Sequence, residues 1–247
     1  MPILIKTAAI SLFISLFVFD AVKAQMFSVG NNGRVLTPPS SSIMAGVEPL
    51  DFSFAGSLDE LDNDGLPNLS FSNTVYRLRF EVPGFQLFGG YGQDLGEDEV
   101  LNYLNAGINL DGGINLYNRE TFGFQVPFEI STEYTQVTTD LGTDRSEEFR
   151  QSSILVGAGI GLRFRPAERV RVTARGVPMI GYTVSSHSGR GGIRYRIENR
   201  NRLYFDNIFG STGLAFGIDF LVSEYNSDEN EFNYDSFGSS FMVGVTF

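Results

Sequence analysis

Residues 236–247 read SFGSSFMVGVTF. Every second residue from Phe237 onward, Phe237, Ser239, Phe241, Val243, Val245 and Phe247, forms one set; Ser236, Gly238, Ser240, Met242, Gly244 and Thr246 form the other. Successive strand side chains point to opposite faces, so the stretch reads as a β-strand with one apolar face and one small or polar face. An apolar face of this kind suits hydrocarbon, but a soluble sheet packed on a core shows the same alternation. The start of the chain separates the two.

Residues 1–24 carry Lys6 ahead of an apolar run over residues 8–19, then Val22-Lys23-Ala24 before Gln25. A basic start, a short apolar stretch and a small-residue site make the pattern of a secretory signal, with cleavage expected after Ala24. A run of about a dozen residues is short of the roughly 20 that a spanning helix needs. The chain has no cysteine, so no lipid-anchored product is expected. A secreted chain whose strands are apolar on one face has an outer membrane as its destination.

Composition narrows the class further. The chain has 18 basic and 29 acidic residues, and removing Lys6, Lys23 and Asp20 with the signal leaves 16 against 28. Nucleic acid is a poor partner for that balance. Every remaining basic residue is arginine, whose planar fork pairs with carboxylates in crowded interiors. Without cysteine there is no disulfide framework and no thiolate metal site, and no cofactor is expected. Phe 23, Tyr 10 and Gly 28 with no Trp fit a strand-rich protein whose interfacial aromatics are Phe and Tyr. The mean hydropathy of −0.03 conceals a membrane protein when inward residues cancel outward ones.

Residues 25–49, with Asn31-Asn32-Gly33 and Pro38-Pro39-Ser40, read as a periplasmic lead-in. Alternation begins near Leu50. A polar stretch follows, and its Glu60-Leu61-Asp62-Asn63-Asp64-Gly65 spaces acids as a calcium loop does. Phe71 stands where the closing Glu belongs, so the segment reads as a surface turn and no metal site is expected. Tyr76, Leu78 and Phe80 then alternate with Arg77, Arg79 and Glu81 ahead of the turn Pro83-Gly84. Further on, Phe128 and Ile130 oppose Glu129, Ser131 and Glu133, with Pro127 on the same inward face predicting a bulge. Arg163, Arg169, Arg171 and Arg175 also read inward, and Asp219 lies between outward Ile218 and Phe220.

Connections near Pro83, Asn118, Pro166 and Gly210 are short, while those between them are long and charged. Short turns belong to the periplasmic side and long loops to the outside. Their rotation gives an all-β, transmembrane, antiparallel up-and-down barrel over residues 50–247, of about ten strands. Eight is the alternative, reached by dropping the first strand and fusing the two around Pro83.

With signal, alternation, turn rotation and final Phe in view, the chain resembles the Gram-negative outer-membrane β-barrels. The resemblance covers essentially the whole mature chain. It implies residence among outer-membrane lipids and recognition of Phe237, Phe241 and Phe247 on the last strand by the barrel-assembly machinery. It is silent about activity, because this fold carries adhesins, anchors, channels and enzymes alike.

Function therefore rests on the inward set: Arg77, Arg79, Glu81, Glu129, Glu133, Arg163, Arg169, Arg171, Arg175 and Asp219. Interiors of small barrels are just wide enough to be filled by side chains, so these groups are expected to pair across the lumen. The alternative is a narrow, anion-leaning channel. A lipid-directed hydrolase would need the sole histidine, His187, with Ser186, Ser188 and Glu198 nearby. Outer-membrane lipid A deacylases place serine two residues after their histidine, where this chain has Gly189; an omptin-like protease wants aspartate pairs that are absent there. No catalytic residue is assigned. The expectation is a monomeric, non-enzymatic barrel with a structural or surface-interaction role and an extracellular partner that the sequence does not name.

Overall fold

The computed structural model describes residues 41–54, 69–95, 100–140, 146–185, 191–227 and 234–247. Its strand segments are β1 (Ser42–Phe54), β2 (Leu69–Val82), β3 (Phe85–Leu95), β4 (Val100–Asn118), β5 (Phe122–Asp140), β6 (Ser146–Ala158), β7 (Ile160–Ala167), β8 (Val170–Ser185), β9 (Gly191–Phe209), β10 (Thr212–Ser227) and β11 (Tyr234–Thr246). Each pairs antiparallel with its neighbours, and β1 pairs with β11, closing the sheet. Between them β6 and β7 fill one position in the wall, so the barrel has ten strands. No described helix is long and apolar enough to cross a membrane.

Register shows how the barrel closes. Partners run from Gly213 through Thr246, Ser42, Glu81, Gln86 and Asn109, then Ser131, Leu155, Gly181 and Arg194. The path returns to β10 at Tyr225, twelve residues above its start. That stagger tilts the strands, as closure requires. Every residue on the path faces inward, so period-two alternation survives the full circuit.

The tight turns after β2, β4, β7 and β9 share one end with Ser42 and Thr246, the periplasmic end in this architecture. Pro83 followed by Gly84 at φ +82° has the type II turn pattern. At the other end strands run further than the charge pattern suggested. The loops expected at residues 94–99 and 140–148 have strand at their borders, with β3 reaching Leu95, β5 reaching Asp140 and β6 starting at Ser146, while residues 96–99 and 141–145 lie outside the described residues. Since about ten tilted residues cross a bilayer, the 19-residue strands β4, β5 and β9 extend beyond it.

Two expectations need correction. Residues 42–49, assigned to the lead-in, form the first half of β1, paired on both sides. Their signal is weak because Pro49 interrupts it and because Leu50 and Phe52 point into the barrel, not outward. At Pro127 there is no bulge. Phe128 opposite Ala158 and Gln125 opposite Gly161 keep one register, while Gly159 N–H donates to the Pro127 carbonyl at 3.0 Å. Proline offers no N–H in return, so the ladder lapses for one residue and separates β6 from β7. The bulge on β5's other flank falls nearer the turn, between Asn115 and Tyr117.

Outside, two aromatic levels frame an apolar band: Tyr76, Tyr91, Tyr182, Tyr195 and Phe237 above, Tyr117, Phe122, Phe164, Phe209 and Phe247 below, all exposed. Inside, the distal end is filled by Leu50, Phe52, Phe71, Val75, Tyr103, Val137, Phe149 and Tyr225, packed as one cluster. Beneath it lies charge.

Candidate functional site

Strand β9 supplies the centre of the lumen. Residues 193–204 read IRYRIENRNRLY, and alternation turns Arg194, Arg196, Glu198, Arg200 and Arg202 inward, all buried. Tyr195 and Ile197 between them face outward. Burying so many charges is stable only when each finds a counter-charge and its hydrogen bonds are made.

The surrounding strands provide the counter-charges, while Glu129 Oε1 and the Nε groups of Arg175, Arg196, Arg200 and Arg202 are buried without a hydrogen-bond partner among the described residues. Glu133 of β5 accepts from Arg194 at 3.2 Å and is also held by Arg196. Arg196 reaches Glu198 at 2.7 Å, and Arg79 of β2 reaches the other oxygen of Glu198 at 3.0 Å. Glu129 accepts from Arg175 at 2.9 Å and from Arg200, whose guanidinium also meets Gln86. Arg175 extends the chain to Asp111. Arg202 bridges Glu81 at 3.0 Å and Asp219 at 3.0 Å, and Asp219 lies 3.4 Å from Arg79. Arg77 pairs with Glu48 and joins the rest through Asn105, which donates to Glu133 at 2.8 Å. Arg79 and Arg196 both stand 5.7 Å from the Phe88 ring centre, adding cation–π contact.

Seven arginines (77, 79, 175, 194, 196, 200 and 202) and seven carboxylates (48, 81, 111, 129, 133, 198 and 219) thus form one connected, electrically balanced web. A cavity of about 30 Å³ lies within it, lined among others by Arg77, Arg79, Glu133, Arg196 and Glu198. That is room for one or two waters.

The remaining predicted residues lie nearer the turns. Arg171 pairs with Asp206 at 3.1 Å and stacks 4.1 Å from Tyr204. Arg163 faces inward and donates to Asn118 at 3.3 Å, meeting no carboxylate among the described residues. Arg169 is a correction: it is exposed in the turn between β7 and β8, where alternation no longer governs direction. Phe237, Phe241 and Phe247 all face outward on the last strand.

Sequence reasoning missed the β9 arginines, although five charged residues at strict spacing of two were the strongest signal in the chain. Glu48 was hidden in the supposed lead-in. Glu198, weighed as a partner for His187, is engaged by three arginines. His187 and the acidic stretch at residues 60–65 lie outside the described residues. No group of three His, Cys, Asp or Glu side chains among the described residues could hold a metal.

Charge inside and hydrocarbon-compatible side chains outside suit a wall standing in lipid, and the fold is that of a Gram-negative outer-membrane β-barrel. Among solved structures it is similar to the outer membrane protease OmpT from Escherichia coli, at a TM-score of 0.50 and 8% identity, over 85% of this chain and 98% of that one. Ail, the attachment invasion locus protein of Yersinia pestis, scores 0.23 at 15% identity, over 85% and 97% of the two chains. The toluene transporter TbuX of Ralstonia pickettii scores 0.19 at 7%, over 84% and 90%. At such identities the likeness to OmpT is one of fold, and the two lower scores carry no argument. No protein-family model and no curated protein matches the chain.

Proposed function

We propose that this outer-membrane barrel is a sealed, non-catalytic protein with a structural or surface-interaction role. The observation that carries the reading is the web joining Glu198, Arg79, Glu133 and Glu129 across the lumen beneath an apolar plug of Phe71, Phe149 and Tyr225. A solute would have to break paired, buried charges to pass, and balanced charge gives no anion preference. The reading of a non-catalytic barrel is supported by the chemistry of the inward set, in which the central carboxylates Glu129, Glu133 and Glu198 are each held by arginines.

The alternatives are a small passive channel and a lipid-directed hydrolase. Outer-membrane lipids contact the apolar band, and the barrel-assembly machinery would read Phe237, Phe241 and Phe247, whose outward placement suits recognition from the membrane side. A monomer fits the closed sheet, in which β1 and β11 satisfy one another.

Planar-bilayer recording of the purified protein tests the reading. No discrete conductance is expected; steady single-channel steps would replace it with the channel. Lipid A of identical mass with and without the gene is expected, and a changed acyl pattern would point to the hydrolase.

A further inference from the structure

Two asparagines stand on the lipid side of the wall. The outward residues of β9 run from Tyr195 in the upper aromatic level through Ile197, Asn199, Asn201 and Leu203 toward Phe209 in the lower one, which places Asn199 and Asn201 near the middle of the apolar band. Register sets Gly176 of β8 and Phe220 of β10 on either side of Asn199, and Ala174 and Ile218 on either side of Asn201. An amide carries two N–H donors and an oxygen with two lone pairs. Asn201 donates to the Asn199 oxygen and to the Ile218 carbonyl, the latter at 3.2 Å. The Asn199 amino group and the Asn201 oxygen meet no partner among the described residues, which include all of β8, β9 and β10 around them. Lipid tails offer neither donor nor acceptor, so polar groups at this depth gain from a polar partner outside the barrel.

The same rows are uneven in size. Ala174 and Gly176 leave a trough between exposed Ile160 and Leu162 on β7 and exposed Ile218 and Phe220 on β10, with the asparagines beside it. A Cβ added at Gly176 would meet only the Asn199 amide, at 3.6 Å, an ordinary contact. The trough is therefore open.

We propose that two copies of this barrel pair in the membrane through this face, about a twofold axis that runs along the membrane normal past Asn199 and Asn201. Copies inserted in one orientation can be related by no other twofold axis, and the contact is then the same patch on both. Facing each other about it, they exchange left for right: β9 meets β9, and β8 of each copy meets β10 of the other. Ile218 and Phe220 of each copy thus enter the trough over Ala174 and Gly176 of the other. At the axis, the free amide donor of one copy meets the free amide oxygen of the other. An amide is donor and acceptor at once and so complements itself, which acyl chains do not. Small residues that admit close approach and amides that bond across the contact also join helices in membranes. Each sheet is already closed by β1 and β11, so complete barrels touch by their faces; the pairing adds a partner to the structural or surface-interaction reading and leaves the lumen as it is.

The chain has no cysteine, so introduced thiols report the contact cleanly. Ile197→Cys places a thiol beside the axis; Leu87→Cys places one on β3, on the opposite wall, and both positions are exposed. Treated with a short bifunctional maleimide in native outer membranes, Ile197→Cys should yield about tenfold more crosslinked dimer than Leu87→Cys. Adding Asn199→Leu with Asn201→Leu, or Gly176→Leu alone, should lower that yield about tenfold while the heat-modifiable, folded fraction stays the same, since each variant adds apolar surface to a lipid face. Equal yields from the two cysteines, a crosslink to a different protein, or a dimer that survives the leucine substitutions would overturn the proposal. If a leucine variant does not fold, the ratio between the two cysteine positions decides.

Discussion

Arg79 on β2 donates to Glu198 on β9 at 3.0 Å, joining residues 119 apart in sequence from nearly opposite walls of the barrel. Both side chains are buried, so each offsets part of the other's charge, beside Arg196 and Arg200 on Glu198 and Asp219 on Arg79. Arg79→Gln and Glu198→Gln should each cost up to about 3–5 kcal/mol, because each removes one partner from a buried charge network and leaves it unbalanced. The double variant should recover about 1–3 kcal/mol relative to the sum. Urea unfolding in lipid vesicles measures the cycle; strictly additive losses would mean the two groups do not interact.

Glu129 and Glu133 between them hold Arg175, Arg200, Arg194 and Arg196. Replacing both with Gln should destabilise the barrel by at least about 3–5 kcal/mol, the scale of breaking a buried pair from one side. Unfolding and single-channel recording are read together. Unchanged stability with a new anion current would show that water reaches these arginines, and the sealed lumen would be abandoned.

Phe216 and Gly217 test which face is which. Phe216 is 44% exposed on the outer wall, whereas a Cβ on Gly217 would meet the ends of the Arg202 and Met44 side chains, which can move. Phe216→Arg should cost about 2–4 kcal/mol at mid-membrane depth and Gly217→Ser much less. Equal losses in folded yield would mean a register one residue off.

Phe247 contributes an outward aromatic ring and the N–H that meets Ser41. Deleting it should reduce the heat-modifiable, folded fraction in outer membranes. Phe247→Tyr, which keeps both features, should restore it. Wild-type levels of the deleted form would remove Phe247 from the assembly signal.

Reading faces from sequence worked where one physical rule acts locally. Along β4, β5, β8, β10 and β11, lipid outside and charge inside impose a two-residue period, so Glu129, Glu133, Arg171, Arg175 and Asp219 could be turned inward without coordinates. The rule inverts beyond the bilayer. There water lies outside and the plug inside, so Leu50 and Phe52 point inward and the first strand was begun eight residues late. It also lapses at turns, where Arg169 escaped it, and at Pro127, whose missing N–H interrupts the ladder without shifting register.

Which arginine meets which carboxylate belongs to the closed barrel alone. Alternation gives a residue its face but not its height, and heights are related only through the twelve-residue stagger that accumulates around ten strands. That stagger carries Arg79 to Glu198, Arg200 to Glu129 and Arg202 to Glu81, each over more than 70 residues of chain. The offset between β3 and β4 has the same origin: a turn at Pro83 and a strand running on to the turn at Asn118 are both visible in the sequence, but that Phe85 meets Leu110 is decided only once β3 is laid against β4. Local chemistry thus determined a membrane wall and its two faces, because side-chain direction is set by neighbouring peptide units; closure determined the pairings, because only it sets distant strands at one level.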